Sequence, residues 1–266
     1  MIDALSFFGS YPFRRLFAES LAEVATHMRS KGFKKIYLIN FSSLFYRDPF
    51  KANRIALNIY RRERENIKDV EIDLLGGTNP SYVAINNIDI EEIVEPYFRA
   101  YVMSPAYHGF RLDAKGSIKL VEDLCSQGRK IVILDLLEDI REMHRAYKLI
   151  YMVKDEHLER FLRNIDKICG KKILLASFRY ELLKNNLARI SDLELYVDTS
   201  SDTLYGYQYD RVRELVDSIG EDLVVLATRT PIAYTEAAVF RVIYSDIADS
   251  AKKKILYDNA LKYYEI

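Results

Sequence analysis

The pattern of apolar and polar positions repeats one unit along this chain. In each copy an amphipathic run ends at a glycine, and a continuous run of β-branched and aliphatic residues begins one to three residues later. The clearest copies are SKGFKKIYLINF, SQGRKIVILDLL, ICGKKILLASFR and SIGEDLVVLATR. A glycine in that place favours the left-handed backbone that ends a helix, and strands apolar on both faces are typical of a parallel sheet covered by helices. The repeat therefore predicts helices alternating with buried parallel strands.

Weaker apolar runs fill the gaps between these copies and bring the number of predicted strands to eight. The predicted strands are 1–5, 34–40, 70–76, 98–104, 130–136, 172–177, 193–198 and 222–228. Eight such units in 266 residues average about 33 residues each, as in a compact (β/α)8 TIM barrel. A doubly wound open sheet is the alternative, but it usually has fewer strands and a glycine-rich phosphate turn, and the chain has neither GxGxxG nor a P-loop motif. We predict a single-domain α/β barrel over residues 1–266, because no linker divides the chain.

The charge balance argues against whole classes of partner. Lys+Arg and Asp+Glu both number 39, so no basic excess points to nucleic acid or to an anionic membrane. The run YRDPFKANRIALNIYRRERENIK is cationic and aromatic, but its periodicity predicts a helix with a mixed-charge solvent face. No apolar run approaches the roughly 20 residues that span a bilayer, and no cationic leader precedes the apolar start. We expect a cytoplasmic protein without nucleic-acid or membrane partners, and its composition resembles that of thermophile proteins.

The cysteines and histidines carry little metal-binding signal. Cys125 and Cys169 fall on apolar faces of predicted helices, which favours buried structural thiols over a disulfide framework. The four histidines form no HxH or HExxH motif, and we expect His27 and His157 on solvated helix faces. The sequence therefore predicts no cofactor.

Five segments resemble, in the right order, the characteristic segments of one protein family. They are MIDALSFFGSYPFRRL, SPAYHGFRLD, LLEDIREMHRAYKL, VVLATRTP and KKKILYDNALKYYEI. The first resembles an opening strand that typically has the sequence Asp-x-His-x-His-x-Gly, and the last is similar to a closing Lys-Ile-Leu-x-x-Asn-Ala-x-x-Leu helix. On these segments the chain resembles amidohydrolase-related TIM-barrel proteins. The resemblance implies a hydrolase or a non-oxidative decarboxylase ancestry, with the site at the carboxyl ends of the strands.

The departures from the family pattern fall on its metal ligands. Leu5 and Phe7 stand where the family has the two histidines of its first strand, and neither side chain can bind zinc. Arg229 stands where the eighth strand carries the aspartate that binds metal and moves the proton of the activated water. A guanidinium repels a divalent cation and cannot act as a base at neutral pH. We therefore predict that the usual metal site has been lost.

Three residues are candidates for proton transfer at the mouth of the barrel. We expect His144, Asp135 and Glu138 there, because an imidazole or a buried carboxyl beside another can act as a general acid or base. Each has a structural alternative. His144 can be a loop histidine bonded to Glu138 or Asp139, and the carboxylates can be N-terminal acids of a helix.

Five further residues are candidates for substrate binding. They are Arg229, Arg141, His108, Tyr107 and Asp198. Arg229 is suited to clamp a carboxylate or a phosphate with two parallel hydrogen bonds. Alternatively, it forms an internal ion pair with Asp3 or Asp198 in place of the metal's charge. His108 can equally be a fixed turn residue, and Asp198 can belong to a cap at the start of the next helix. Whether His108 and His144 join carboxylates in an atypical metal site is left open.

Two functions fit these observations. The first is a metal-free barrel that binds a small anionic ligand, with hydrolase- or decarboxylase-like activity. The second is a non-catalytic scaffold of the same fold, for example a homodimer, with Phe7, Phe8, Phe41 and tyrosines filling the mouth and Arg229 paired internally. An open mouth of several hundred Å3 would favour the first.

Overall fold

The computed structural model describes residues 1–135, 152–200 and 210–265. Within them eight parallel strands form one sheet in the order of the sequence, β1 to β8. The strands are β1 (Ile2–Phe8), β2 (Lys35–Asn40), β3 (Glu71–Gly77), β4 (Phe98–Met103), β5 (Lys130–Leu134), β6 (Ile173–Ala176), β7 (Tyr196–Asp198) and β8 (Val224–Val225). Each lies within or overlaps one predicted strand, so the α/β TIM barrel is confirmed.

The barrel closes between β1 and the residues that follow β8. Ala4 N donates to Leu226 O at 2.8 Å, and Phe7 N donates to Thr230 O at 2.7 Å. These bonds bring the first and last strands together at the place where the predicted site residues meet.

Helices cover the outside of the sheet, and local sequence signals start several of them. The α-helices are α1 (Leu21–Ser30), α2 (Ser42–Phe45), α3 (Pro49–Glu63), α4 (Pro80–Asn86), α5 (Ile90–Ile93), α6 (Pro105–His108), α7 (Lys115–Ser126), α8 (Asp155–Asn164), α9 (Tyr180–Lys184), α10 (Leu187–Asp192), α11 (Asp210–Ile219), α12 (Thr235–Ile243), α13 (Asp249–Lys253) and α14 (Asn259–Glu265). A Ser20–Glu23 capping box begins α1, and Asp48 caps α3, whose first residue is Pro49. Among the described helices, none is both long and apolar enough to cross a membrane.

The apolar side chains divide between two layers. The larger layer lies between the sheet and the helices and contains Phe8, Leu38 and Phe161. The smaller one fills the barrel interior and contains Leu5 and Phe7. Phe8 therefore faces the helices, and its predicted place in the mouth is wrong, because alternate side chains of a strand point to opposite faces.

The helix α14 seals the amino end of the barrel. The Tyr264 hydroxyl donates to Ala4 O at 2.7 Å, and the Tyr263 hydroxyl donates to Ile131 O at 2.7 Å. Both rings are buried. Since the hydroxyls satisfy strand carbonyls, the polar ends of these rings are accommodated inside an otherwise apolar interior.

Two expectations about single residues are wrong. Cys125 of α7 and Cys169 are joined in a disulfide, with a Cα–Cα distance of 5.2 Å, whereas the sequence favoured separate thiols. His157 is buried on α8 rather than solvated. It lies beside Leu158 and one turn before Phe161, which places it at the edge of the buried stripe. His27 of α1 is half-buried and packs on Phe17, with ring centroids 4.8 Å apart.

Candidate functional site

A buried carboxylate occupies the carboxyl end of β7. Asp198 accepts hydrogen bonds from Ser177 N at 3.1 Å, from Ser200 N at 3.3 Å and from the Ser200 hydroxyl at 2.5 Å. Burial raises the pKa of Asp198, while the hydrogen bonds and the charge of Arg229 act in the opposite direction. Asp198 therefore lies at the mouth and bonds the turn that follows its strand, while its role in substrate binding stays a prediction.

Arg229 follows β8 in an uncommon backbone conformation. Its φ of 56° is in the left-handed region, which costs a residue with a Cβ about 1–2 kcal/mol. Two hydrogen bonds hold it there: Arg229 N donates to Leu5 O at 3.1 Å, and Ile232 N donates to Arg229 O at 2.8 Å. The residue is 4% exposed. Backbone strain of this kind persists where the surroundings impose it and is frequent at functional sites.

A second left-handed residue, Ser177, follows β6 with a φ of 57°. Its backbone N–H is one of the donors to Asp198, and its hydroxyl lies 3.0 Å from the Ser200 hydroxyl. Asp198 on β7 therefore lies between two strained residues on the flanking strands, one of which carries a guanidinium. This arrangement fixes the positions of one negative and one positive group at the mouth.

A second carboxylate and guanidinium meet two strands away, beyond the ends of β5 and β6. Asp135 follows β5, is fully buried, and lies 3.7 Å from Arg179 Nε. The Arg179 guanidinium also donates to Val153 O. Asp135 is thus at the mouth, as predicted, and its neighbour Arg179 was not among the predicted residues.

The seam between β1 and β8 contains a chain of hydroxyl groups that begins at Asp3. The fully buried Asp3 accepts from Thr228, whose Oγ1 lies 2.8 Å from that of Thr230. Thr230 Oγ1 is 2.7 Å from Thr235 Oγ1, which is 2.9 Å from His27 Nε2. Burial raises the pKa of Asp3 to about 7, against the effect of its hydrogen bonds. Polar groups in this seam are hydrogen-bonded to one another, which is what burial requires.

Aromatic side chains fill the mouth beside β1 and β2. Phe7 and Phe41 stack with ring centroids 5.0 Å apart and an interplanar angle of 8°, and Tyr11 packs on Phe41 at 5.1 Å. All three are buried. Phe45 extends this cluster to Tyr107, at a centroid distance of 5.3 Å. The predicted residue Tyr107 is therefore a half-buried member of an aromatic wall.

His108, at the end of α6, is held by the backbone. Its Nε2 lies 2.9 Å from Ser43 O, and burial lowers its pKa to about 4, with a smaller opposing effect of this hydrogen bond. The imidazole is consequently neutral at pH 7. This geometry matches the structural alternative, a fixed turn residue; Nδ1 is buried with no hydrogen-bond partner within the described ranges.

The structure thus brings some of the predicted site residues together and separates others. Asp135, Asp198 and Arg229 lie along β5 to β8, while Tyr107 and His108 follow β4. The predicted residues His144, Glu138 and Arg141 lie outside the described residues. Sequence reasoning placed Ser177 and Arg179 at the end of the predicted strand 172–177 but gave them no role, and it missed Tyr11. Of these, only Arg179 carried a signal, as a cation directly after an apolar run.

Comparisons with solved structures identify the fold. The chain is similar in structure to a dihydroxybenzoic acid decarboxylase from Polaromonas sp. JS666, which was solved with manganese and 2-nitroresorcinol. The two superpose with a TM-score of 0.69 at 14% sequence identity, and the match covers 99% of this chain and 96% of that one. A 2,6-dihydroxybenzoate decarboxylase in complex with 2,6-dihydroxybenzoate gives a TM-score of 0.70 at 12% identity over 100% of both chains. Amidohydrolase 2 from Bifidobacterium longum subsp. infantis gives a TM-score of 0.61 at 13% sequence identity, and the match covers 100% of this chain and 98% of that one. No family model and no curated protein matches the chain. At 12–14% identity these comparisons show the fold alone, and the chain has the barrel fold of these structures.

A divalent-metal site requires imidazole, carboxylate or thiolate donors at the mouth. On β1 the side chains in question are Leu5 and Phe7, which are both buried and carry no donor atom. A cationic guanidinium follows β8. Over residues 1–135, 152–200 and 210–265, the carboxylates that come together as a possible metal ligand set are Glu71, Asp73 and Glu265. They surround Lys35 Nζ at the amino end of the barrel. The described residues at the mouth do not fit a metal centre.

Proposed function

We propose that this barrel binds a small ligand bearing a carboxylate or a phosphate at the carboxyl ends of its strands, without a divalent metal. Residues 1–266 are proposed to act as one amidohydrolase-like domain. The observation that carries the proposal is Arg229, a guanidinium held in a strained backbone conformation beside the buried Asp198. An almost completely buried cation at a barrel mouth is suited to bind an anion, because it is already desolvated.

The aromatic wall supports an aromatic or otherwise apolar body for this ligand. Phe7, Tyr11 and Phe41 lie on β1, the loop after it and the end of β2, across the mouth from β5 and β6. A ring can pack against them while its carboxylate reaches the guanidinium. The ligand of one structural relative, 2,6-dihydroxybenzoate, has this combination of groups and is the first compound to test.

The proposed reaction, if the ligand is turned over, is a metal-free decarboxylation or hydrolysis. In decarboxylation the bond between the ring carbon and the carboxylate breaks, CO2 leaves, and a proton adds to the carbon that keeps the electron pair. The described residue proposed to deliver that proton is Asp135, which takes it up from water before each turnover, with His144 and Glu138 as further predicted participants. Its burial beside Arg179 favours a fixed position, which proton transfer requires.

One observation favours the second function, a non-catalytic scaffold. Phe7 stands where the family pattern has a metal-binding histidine, and it is buried together with Phe41 and Tyr11, which pack beside it. Packed rings of this kind stabilise a fold without contributing chemistry. In that case Arg229 serves only to balance the charge of Asp198. A cytoplasmic location and the absence of nucleic-acid partners stay predictions from the sequence.

Thermal unfolding and calorimetric titration in the presence of EDTA distinguish the two functions. We expect 2,6-dihydroxybenzoate to raise the melting temperature saturably, as a ligand that binds only the folded state must, and inorganic phosphate to compete with it. Arg229→Met should abolish the effect, and Arg229→Lys should retain part of it because the charge remains. Arg54→Met, on the exposed face of α3, is the matched control.

Product analysis addresses the chemistry separately. Resorcinol formed from 2,6-dihydroxybenzoate in EDTA, and lost in Asp135→Asn, would support metal-free decarboxylation. Activity that appears only after manganese is added would contradict the metal-free proposal. If the protein neither binds nor converts any of these anions, the scaffold remains as the function.

A further inference from the structure

The exposed face of α12 is apolar along its whole length. The exposed residues are Tyr234, which directly precedes the helix, and Ala237, Phe240, Ile243 and Tyr244. Phe240 and Tyr244 pack on each other, with ring centroids 5.7 Å apart. An unbroken apolar stripe on the solvent side is unusual, because surface helices normally carry polar residues there.

Other long helices around the barrel show the usual arrangement. The exposed positions of α1 are Glu23, Thr26, Arg29 and Ser30, and those of α8 and α11 are charged or polar throughout their described positions. The face of α12 is therefore a local feature and not a property of this chain's surface as a whole.

From this contrast we propose that α12 is the interface of a homodimer, in which it packs antiparallel to α12 of a second copy. This goes beyond ligand binding at the barrel mouth, because the face lies on the outside of the barrel. An interface about a twofold axis uses the same surface on both subunits. A helix with one uniformly apolar face can satisfy that condition with Phe240 at the axis, since Phe240 is midway between Ala237 and Ile243.

The area of the face suits a dimer. Tyr234 is 78% exposed, Tyr244 66%, Phe17 53% and Phe240 48%. At about 200 Å2 for a complete aromatic side chain, these four rings alone expose roughly 500 Å2. A stable interface buries roughly 800 Å2 on each partner, so the rings provide more than half of one side.

A pocket beside the start of α12 fits the opposite end of the partner helix. Its volume is about 610 Å3, and its lining includes Arg14, Phe17, His27 and Tyr234. Tyr234 and Tyr244 are ten residues apart, or about 15 Å along a helix. With Phe240 at the axis, antiparallel packing places Tyr244 of one copy beside Tyr234 of the other, at this pocket.

The surrounding charges permit this pairing. Glu236, next to the face, is neutralised by Lys31 at 2.5 Å. Arg14 and Arg15 lie at the start of α12, and just beyond its end Asp246 is paired with Arg213 at 2.6 Å, so in antiparallel copies the arginines approach an ion pair. The arginines can also pack on the partner's Tyr244 ring. Glu236 and Asp246 therefore both enter the interface already paired within their own chain.

Sedimentation equilibrium of the full chain tests the interface. A dimer with a Kd of about 1 µM is almost fully formed at ~100 µM chain, and we expect the wild type to sediment as a dimer there. Phe240→Glu should shift it to a monomer, with the circular dichroism spectrum of the folded chain preserved. Ile85→Glu is the control, because Ile85 is also an exposed apolar residue but lies on another helix, α4, and this variant should remain dimeric.

Cysteine cross-linking tests the orientation. When chains carrying Tyr234→Cys are mixed with chains carrying Tyr244→Cys, oxidation should link one chain of each kind, and either chain alone should cross-link far less. The two native cysteines are already joined to each other. A monomeric wild type, a Phe240→Glu variant that stays dimeric, or a face occupied by an unrelated protein or a small molecule in place of a second copy would each overturn the proposal.

Discussion

The Asp3 carboxylate, on the first strand, accepts hydrogen bonds from both the backbone N–H of Thr228 at 2.8 Å and its hydroxyl at 2.7 Å. Thr228 lies 225 residues later in the chain. Because burial raises the pKa of Asp3 to about 7, the acid and its conjugate base are both populated near neutral pH. The seam that closes the barrel therefore depends on a group that titrates in the physiological range.

We expect this titration to appear in the stability of the protein. An unfolded aspartate has a pKa of about 3.9, so between about pH 4 and pH 7 the folded chain binds more protons at Asp3 than the unfolded chain. The contribution of Asp3 is complete below about pH 4 and is lost as the pH rises through about 7. Relative to Asp3→Asn, the wild-type free energy of unfolding should fall by up to roughly 4 kcal/mol over that range, measured by urea unfolding. Asp69→Asn, at an exposed position, should show no such trend, and a difference that rises with pH would contradict the assignment.

The left-handed conformation of Arg229 predicts an unusual order of stability between two variants. Arg229→Gly and Arg229→Ala both remove the guanidinium, but only alanine retains the Cβ that disfavours a φ of 56°. The glycine variant should therefore be the more stable by roughly 1 kcal/mol, measured by thermal or urea unfolding. Ala227→Gly supplies the control, since the φ of Ala227 is not positive and glycine should destabilise the chain there. An alanine variant as stable as the glycine variant would show that the backbone is not strained.

The disulfide between Cys125 and Cys169 closes a loop of 44 residues. By the loop-entropy relation its reduction should lower the free energy of unfolding by about 4 kcal/mol. Unfolding with and without a reductant measures this difference, and the double variant Cys125→Ala/Cys169→Ala should not respond to the reductant. Titration of free thiols in the denatured, unreduced protein should give none, and two reactive thiols there would contradict the bond.

Lys35 neutralises three carboxylates at the amino end of the barrel. Its Nζ lies 2.6 Å from Glu71 and 3.0 Å from Asp73, and it also contacts Glu265. Lys35→Met should lower the free energy of unfolding by about 2–3 kcal/mol, because it leaves clustered negative charges whose repulsion water only partly screens. Lys34→Met, at the exposed neighbouring position, should have little effect.

Divalent cations give a second measurement on the same variant. Calcium or manganese should raise the melting temperature of Lys35→Met, because the three carboxylates then lack their cation. The same ions should leave the wild type unchanged. A wild type that is stabilised as strongly would show that Lys35 does not occupy this position.

The strands could be predicted because each is a local run of apolar residues, and all eight appear in the structure. Their ends were less predictable. The seventh strand begins at Tyr196 rather than at 193 because Leu193 still belongs to the end of α10. The eighth is short because Glu221–Leu223 form a turn of 3-10 helix. The residues beyond it bond to β1 instead of continuing a regular ladder.

The site was predictable only in part, for a geometric reason. Strand order shows which strand ends meet, so Asp135, Asp198 and Arg229 could be placed at one mouth. It does not show which side chains touch, because an irregularity in the pairing of β1 with β2 between Asp3 and Ser6 alters the alternation of faces. The aromatic wall forms only because loops such as the one that contains Tyr11 fold back over the mouth. No short-range sequence pattern predicts that fold of the loop.

The hydroxyl of Tyr264 bonds the carbonyl of Ala4 across 260 positions of the chain. Contacts of such large sequence separation form slowly, because most of the chain must be ordered before its ends can meet. Until then the interior carbonyls at the amino end of the barrel remain open to water. We therefore expect the last turn of α14 to dock late in folding, and its docking to seal the interior.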